Sequence, residues 1–156
     1  MRIGFLWVGR TRDGNIHAAL ERYIVRIRRY CRVSVTEVRE ARATDRHAEA
    51  EALLTEGRRI REAVTTGDRT VLLDAGGRTM SSQEFAGYIE SMMGAGQKGL
   101  TFIIGGHQGV DAGTKKFADE TISLSRMTFT HEMARLIAAE QVFRALSIIR
   151  GGRYHR

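Results

Sequence analysis

Three short stretches hold most of the residues whose types and spacing could do chemistry. They are L-L-D-A-G-G at 72–77, F-I-I-G-G-H-Q-G-V at 102–110 and S-L-S-R-M-T-F-T-H at 123–131. Each starts apolar and then breaks into glycines or hydroxyl residues. An apolar run that ends in Gly-Gly marks a strand end where the backbone must pass close to something. That something is a phosphate, another part of the chain, or a cofactor.

Phosphate motifs fit poorly. A P-loop needs G-x-x-x-x-G-K-[ST], whereas Lys115 and Lys116 come too late and no Ser or Thr follows them. A dinucleotide fingerprint needs G-x-G-x-x-G in the first βα unit and a carboxylate about 20 residues on. Here G-G-x-x-G lies in the last third, and position 125 is Ser between Leu124 and Arg126. An NTPase is therefore disfavoured. An isolated G-G-x-x-G would be no more than a tight turn; three small or polar strand-end loops could line one crevice.

Metal chemistry has no support either. Cys31 is the single cysteine, and His17, His47, His107, His131 and His155 show no short-range ligand spacing. A lone cysteine fits a reducing cytoplasm. No apolar stretch approaches the ~20 residues needed to cross a bilayer, and M-R-I-G-F-L-W-V-G-R reads as a first strand and not as a signal peptide.

The 156 residues suit one domain, and 42% hydrophobic content is ordinary for a globular chain. The formal net charge is +7, carried by 22 Arg and 3 Lys. A small basic domain points to a polyanionic partner, nucleic acid ahead of membrane, and arginine suits bidentate phosphate contacts. Proline is absent, so loops must take their shape from glycine and side-chain hydrogen bonds.

The elements that would position the three stretches follow from periodicity. R-I-G-F-L-W-V (2–8) predicts a buried strand. Residues 15–30 predict a helix with Ile16, Leu20, Ile24 and Ile27 on one face. V-S-V-T-E-V (33–38) alternates as a half-buried strand. Residues 45–65 predict a helix with Thr44 as N-cap. T-V-L-L-D (70–74) predicts a strand closed by Ala-Gly-Gly. Ser81 or Ser82 then caps a helix, with Glu84 placed for a capping box. Strand 100–104, a short helix near 111–118, strand 122–125 and a long helix from 131 to 149 complete the order. Alternating strands and helices predict an α/β fold, a single domain over 1–156 with a mainly parallel sheet and helices on both faces. Ligands then bind at the carboxyl ends of the strands, in loops 74–79, 105–110 and 125–131.

The ordered set of motifs resembles the SPOUT-class methyltransferases of the RlmH type, which methylate N3 of a pseudouridine in 23S ribosomal RNA. The marks are V-G near residue 8, L-L-D-x-x-G at 72–77, I-I-G-G-x-x-G at 103–109, S-L-S-x-M-T-F-x-H at 123–131, A-x-E-Q-x-F-R-A at 138–145 and Y-H-R at 154–156. They cover essentially the whole chain. The resemblance implies an α/β knot, with a C-terminal trefoil. It implies S-adenosylmethionine as cofactor, contacted by Leu73, by Gly105 and Gly106, and by Ser125, Arg126, Met127, Thr128, Phe129 and Thr130. The two glycines would let backbone pass backbone and leave bare amides toward the methyl donor. It also implies a homodimer acting in the cytoplasm on the 23S rRNA of assembled ribosomes, with no membrane and no metal.

On the same basis His155 is the first candidate to take the proton of the target nitrogen, with Tyr154 stacking on a base and Arg153 and Arg156 binding phosphate. His131 is the second candidate, expected to cap the helix it begins. Arg135, on the last helix, is the expected RNA contact there, while Glu140 and Arg144 are expected to pair. Where family members often carry a proline and an acidic residue within G-G-x-x-G, this chain has His107 and Gln108, and where prolines commonly flank the histidine at 131 it has Thr130 and Glu132. The alternative function is a catalytically inactive RNA- or ribosome-binding protein of the same fold.

Overall fold

The computed structural model describes residues 1–152, without the Arg46 side chain. Arg153, Tyr154, His155 and Arg156 lie outside the described residues. The elements run β1 (Arg2–Val8), α1 (Gly14–Ile27), β2 (Val33–Val38), α2 (Arg46–Ala63), β3 (Arg69–Thr79), α3 (Ser82–Gly94), β4 (Gly99–Ile104), α4 (Ala112–Phe117), β5 (Glu120–Ser123) and α5 (His131–Ile149). The strands form one five-stranded sheet in the order β2-β1-β4-β3-β5, and every pairing is parallel.

This order explains why helices cover both faces. The crossovers β1 to β2 and β3 to β4 step one way along the sheet, and β2 to β3 and β4 to β5 step the other way. A right-handed crossover stepping in opposite directions must use opposite faces. Accordingly, Leu20, Ile24 and Ile27 of α1, Phe85 and Ile89 of α3, and Val142 and Leu146 of α5 pack on Ile3, Phe5, Trp7, Phe102 and Ile104. On the other face Ile60 of α2 and Val110, just before α4, pack on Leu6, Val8, Val38, Leu72 and Ile103. The period of two along β1 and β4 divides the side chains between the two cores.

Several boundaries differ from expectation for identifiable reasons. Asp45, not Thr44, caps α2: its carboxylate accepts from the amides of His47 and Ala48. A carboxylate at the helix N-terminus also meets the dipole favourably. Strand β3 does not close at Asp74. It continues to Thr79 through a register shift between Leu73 and Arg78 along β5. Gly77 permits this, since a Cβ there would lie 2.7 Å from the Ile122 backbone. Strand β5 starts at Glu120, two residues earlier than expected. Ser81 forms the full capping box with Glu84. Glu140 and Arg144 pair at 2.5 Å.

Candidate active site

Because all strands run the same way, their carboxyl ends share one edge of the sheet. At that edge the ends of β3, β4 and β5 open onto a cavity of about 520 Å3, a size typical of small-molecule sites. Its walls come from Leu73 and Asp74, from Ile104 to His107 with Gly109, and from Ser123 to Ser125 and Met127 to His131. The three sequence stretches therefore meet in one place.

The glycine loop turns back on itself. Gly109 donates its amide to the Gly106 carbonyl at 3.1 Å, and Gly109 takes φ +79°. A Cβ on Gly105 would sit 2.4 Å from the Gly109 carbonyl oxygen, so only glycine fits. Gly106 differs: a Cβ there would meet only the Glu56 and Val8 side chains, at 3.4 and 3.5 Å. Backbone crowding thus explains Gly105 and not Gly106, and the crowding is the loop's own turn.

The 123–131 loop is built from its hydroxyls. Ser123 donates to the Ser125 carbonyl at 2.8 Å, and the Met127 amide donates to the Ser125 hydroxyl at 2.9 Å. Thr130, not His131, caps α5 by accepting from the Met133 amide. This frees the His131 ring, which is half-buried on the cavity wall. Burial, and then the Arg135 charge, lower the His131 pKa from its usual value. Met127 and Phe129 are 76% and 37% exposed. Large apolar side chains left open inside a concave wall are what a ligand covers.

Asp74 supplies the one carboxylate of the wall, and no lysine or arginine lines it among the described residues. Its carboxylate accepts from the Gly76 amide at 2.9 Å and pairs with Lys115 at 3.1 Å. The amide bond first, and Lys115 after it, hold the carboxyl below its usual range. Asp74 stands inside L-L-D-A-G-G, so the motif contained the signal. Ile104, Leu124 and Ala134 also line the cavity; their apolar character gave no mark in the sequence.

Two expected arginines fall elsewhere. Arg126 is exposed and absent from the wall. Arg135 is 0% exposed. Its guanidinium donates to the Val8 carbonyl at 2.6 Å and the Thr11 hydroxyl at 3.0 Å, and lies 5.3 Å from the Trp7 ring centroid. A side chain so enclosed is not on offer to RNA. It clamps the loop after β1 to the start of α5. A second cavity, about 560 Å3, lies at the opposite edge of the sheet, where Arg2, Arg32, Lys98 and Arg150 meet.

A parallel α/β sheet with a glycine turn, a hydroxyl loop and a helix C-terminal to both defines a class, and the chain belongs to it. The family described as "Predicted SPOUT methyltransferase" matches residues 1–155, so this is a SPOUT methyltransferase. The chain is 38% identical over 155 residues to ribosomal RNA large subunit methyltransferase H of Geobacter sp. (strain M21), covering 99% of each. It is 39% identical over 155 residues to the protein of that name from Bacteroides thetaiotaomicron, again covering 99% of each. Solved structures share the fold at low identity. A probable methylase family protein from Haemophilus influenzae Rd KW20 has a TM-score of 0.58 at 12% identity, over 99% of this chain and 70% of that one. A probable methyltransferase from Bordetella pertussis Tohama I has a TM-score of 0.52 at 13% identity, over 93% and 96%. SPOUT methyltransferases use S-adenosylmethionine.

Proposed function

We propose that the chain transfers a methyl group from S-adenosylmethionine to N3 of a pseudouridine in 23S ribosomal RNA, on assembled cytoplasmic ribosomes, as a homodimer. One observation carries the cofactor assignment. The cavity combines bare main chain, exposed apolar side chains and a single carboxylate, with no lysine or arginine in its wall among the described residues. That composition suits a ligand with an adenine, a thioether-like chain and net positive charge, and it suits no nucleoside triphosphate.

The cofactor supplies an activated methyl on a sulfonium. The protein then has to align the acceptor nitrogen with it and remove one proton. Leu73, Ile104 and the 125–130 loop would hold the adenosine part, and Gly105 keeps the loop tight beneath it. Asp74 would face the cationic part of the donor. His155 would take the imide proton, Tyr154 would stack on the target base, and Arg153 and Arg156 would bind phosphate.

Chain geometry supports the homodimer. Helix α5 starts at the cavity with His131, and Arg150, just past its end, lines the cavity at the opposite edge. Nineteen residues of helix span about 28 Å. The five residues from Arg150 to His155 reach at most about 18 Å when fully extended. These lengths favour delivery of His155 to the cavity of a second copy.

A complementation experiment tests this. Gly105→Ala disables the cavity and His155→Ala disables the tail. Each homodimer should be inactive, and mixed dimers should regain activity, because one of their two sites combines an intact cavity with an intact tail. Mixed dimers as inactive as either parent would reject the shared site.

A further inference from the structure

With Arg135 enclosed, the protein needs another surface for the RNA that flanks its target. Strand order places β1 next to β4 and β2 beyond it. The loops after β1 and β2 therefore stand on the same edge as the cavity, about 5 and 10 Å along the sheet from the glycine loop. They carry Arg10, Arg12, Arg39 and Arg42, all exposed.

The carboxylates of this edge are committed elsewhere. Asp13 caps α1 through the amides of Asn15 and Ile16, and Asp45 caps α2. Glu132 accepts from the amides of Arg12 and Asp13 at 2.8 and 3.1 Å. Glu56 accepts from the Ala41 amide at 2.9 Å. Glu37 accepts from the Trp7 indole at 3.4 Å, and Glu40 pairs with Arg12. Arg10, Arg39 and Arg42 have no carboxylate partner among the described residues.

Both loops are also fixed from beneath. Arg135 and Glu132 hold the loop after β1. Glu56 holds the loop after β2, and the Arg59 guanidinium donates to the Arg39 carbonyl at 2.8 Å. Guanidiniums on a fixed backbone lose less freedom when they bind. The buried Arg135 and Glu56 thus gain a purpose: they keep a row of unneutralised charges at one height beside the cavity.

We propose that Arg10, Arg39 and Arg42 form a phosphate-binding ridge for the single-stranded RNA that leads away from the target nucleotide. The proposal rests on the reading of the site as that of an RNA methyltransferase. The ridge is sequence-blind: phosphates set register, and the cavity selects the base.

The test uses the full-length protein and ribosomes lacking the modification. Ribosome affinity, its salt dependence and cofactor affinity are measured for two triple variants. The ridge variant is Arg10→Gln, Arg39→Gln, Arg42→Gln. The control is Arg22→Gln, Arg58→Gln, Lys116→Gln, which removes the same charge from exposed helix faces. The ridge variant should bind ribosomes at least about tenfold more weakly, with a salt slope reduced by about 2, the loss expected for three single-strand phosphate contacts. Its cofactor affinity should match wild type, and the control should bind ribosomes as wild type does. Equal losses in both variants would mean that only bulk charge matters and would overturn the ridge. A ridge variant that binds like wild type would overturn it too. Selective loss of ribosome binding in a protein that transfers no methyl group would keep the ridge and reject the methyltransferase reading instead.

Discussion

The buried guanidinium of Arg135 donates to the main-chain carbonyl of Val8 at 2.6 Å, 127 positions away in sequence. The bond ties the last residue of the first strand to the second turn of the last helix. Among the described residues no carboxylate forms an ion pair with this arginine; a carbonyl, a hydroxyl and the Trp7 face receive its guanidinium.

Arg135→Ala should therefore lower stability by about 3 kcal/mol, through the void over Trp7 and the abandoned Val8 carbonyl. Arg135→Lys should recover only part of this, because an ammonium cannot serve both acceptors while lying flat on an indole. Urea unfolding of the three proteins gives the comparison. Full recovery with lysine would show that charge alone is required.

The two glycines of the 105–106 pair should respond differently. Gly105→Ala forces a Cβ against the Gly109 carbonyl and should reduce cofactor affinity at least about a hundredfold by displacing the loop. Gly106→Ala meets only side chains at ordinary contact distance and should leave the melting temperature within about 2 °C of wild type. Calorimetric titration and thermal melts separate the two effects. Equal damage at both positions would contradict the loop geometry.

His131 offers a pH test. Burial first, and the Arg135 charge second, depress its pKa, while Glu132 and Glu40 oppose and His107 assists. The ring is then neutral at pH 7. Its contribution to stability is complete above the unfolded value of about 6.5 and is lost as pH falls through the lowered folded value. A side-chain NMR titration should place its midpoint below about 6.5. In Arg135→Met the midpoint should rise, because a repelling positive charge has gone. A midpoint unchanged by that substitution would remove Arg135 as a cause.

Asp111 is the buried acid that locks α4 to α2. It accepts from Arg61 at 3.0 Å and from the Thr114 amide at 2.9 Å, and it also bonds the Thr114 hydroxyl. Burial alone would raise its pKa; the bonds from Thr114 and Arg61 outweigh that and hold it low. Asp111→Asn should cost about 2–3 kcal/mol at pH 7. The stabilisation is present above an unfolded value of about 4 and lost as pH falls through the lowered folded one. The difference between mutant and wild type should accordingly shrink in acid, as urea unfolding at a series of pH values would show.

Much of this architecture was legible in the residues. The alternation of Ile3, Phe5 and Trp7 with Leu6 and Val8 encodes a strand covered on both faces, and Ser81 with Glu84 announces its helix directly. The three strand-end motifs converge because parallel strands must end together. Other features were not legible. Asp74 to Gly77 read as a strand end, because nothing local shows that Gly77 lies against Ile122 of β5. Thr44 and Asp45 are both good caps, and only the first turn's geometry chooses between them. Arg135 looked like a surface charge, since a helix position reveals a buried arginine only when its partners, here Val8 and Thr11, are known. Exposure of Arg10, Arg39 and Arg42 is likewise a property of the sheet edge and not of any motif.

Methyl transfer from labelled S-adenosylmethionine to intact ribosomes lacking the modification, with mass mapping of the 23S RNA, reads enzyme and substrate together. Label is expected at N3 of one pseudouridine and is expected to be abolished in Gly105→Ala. Cofactor binding without label in 23S RNA would contradict the substrate. Neither binding nor transfer would contradict the enzyme itself, and would leave the 105–109 turn as nothing more than a close passage of backbone.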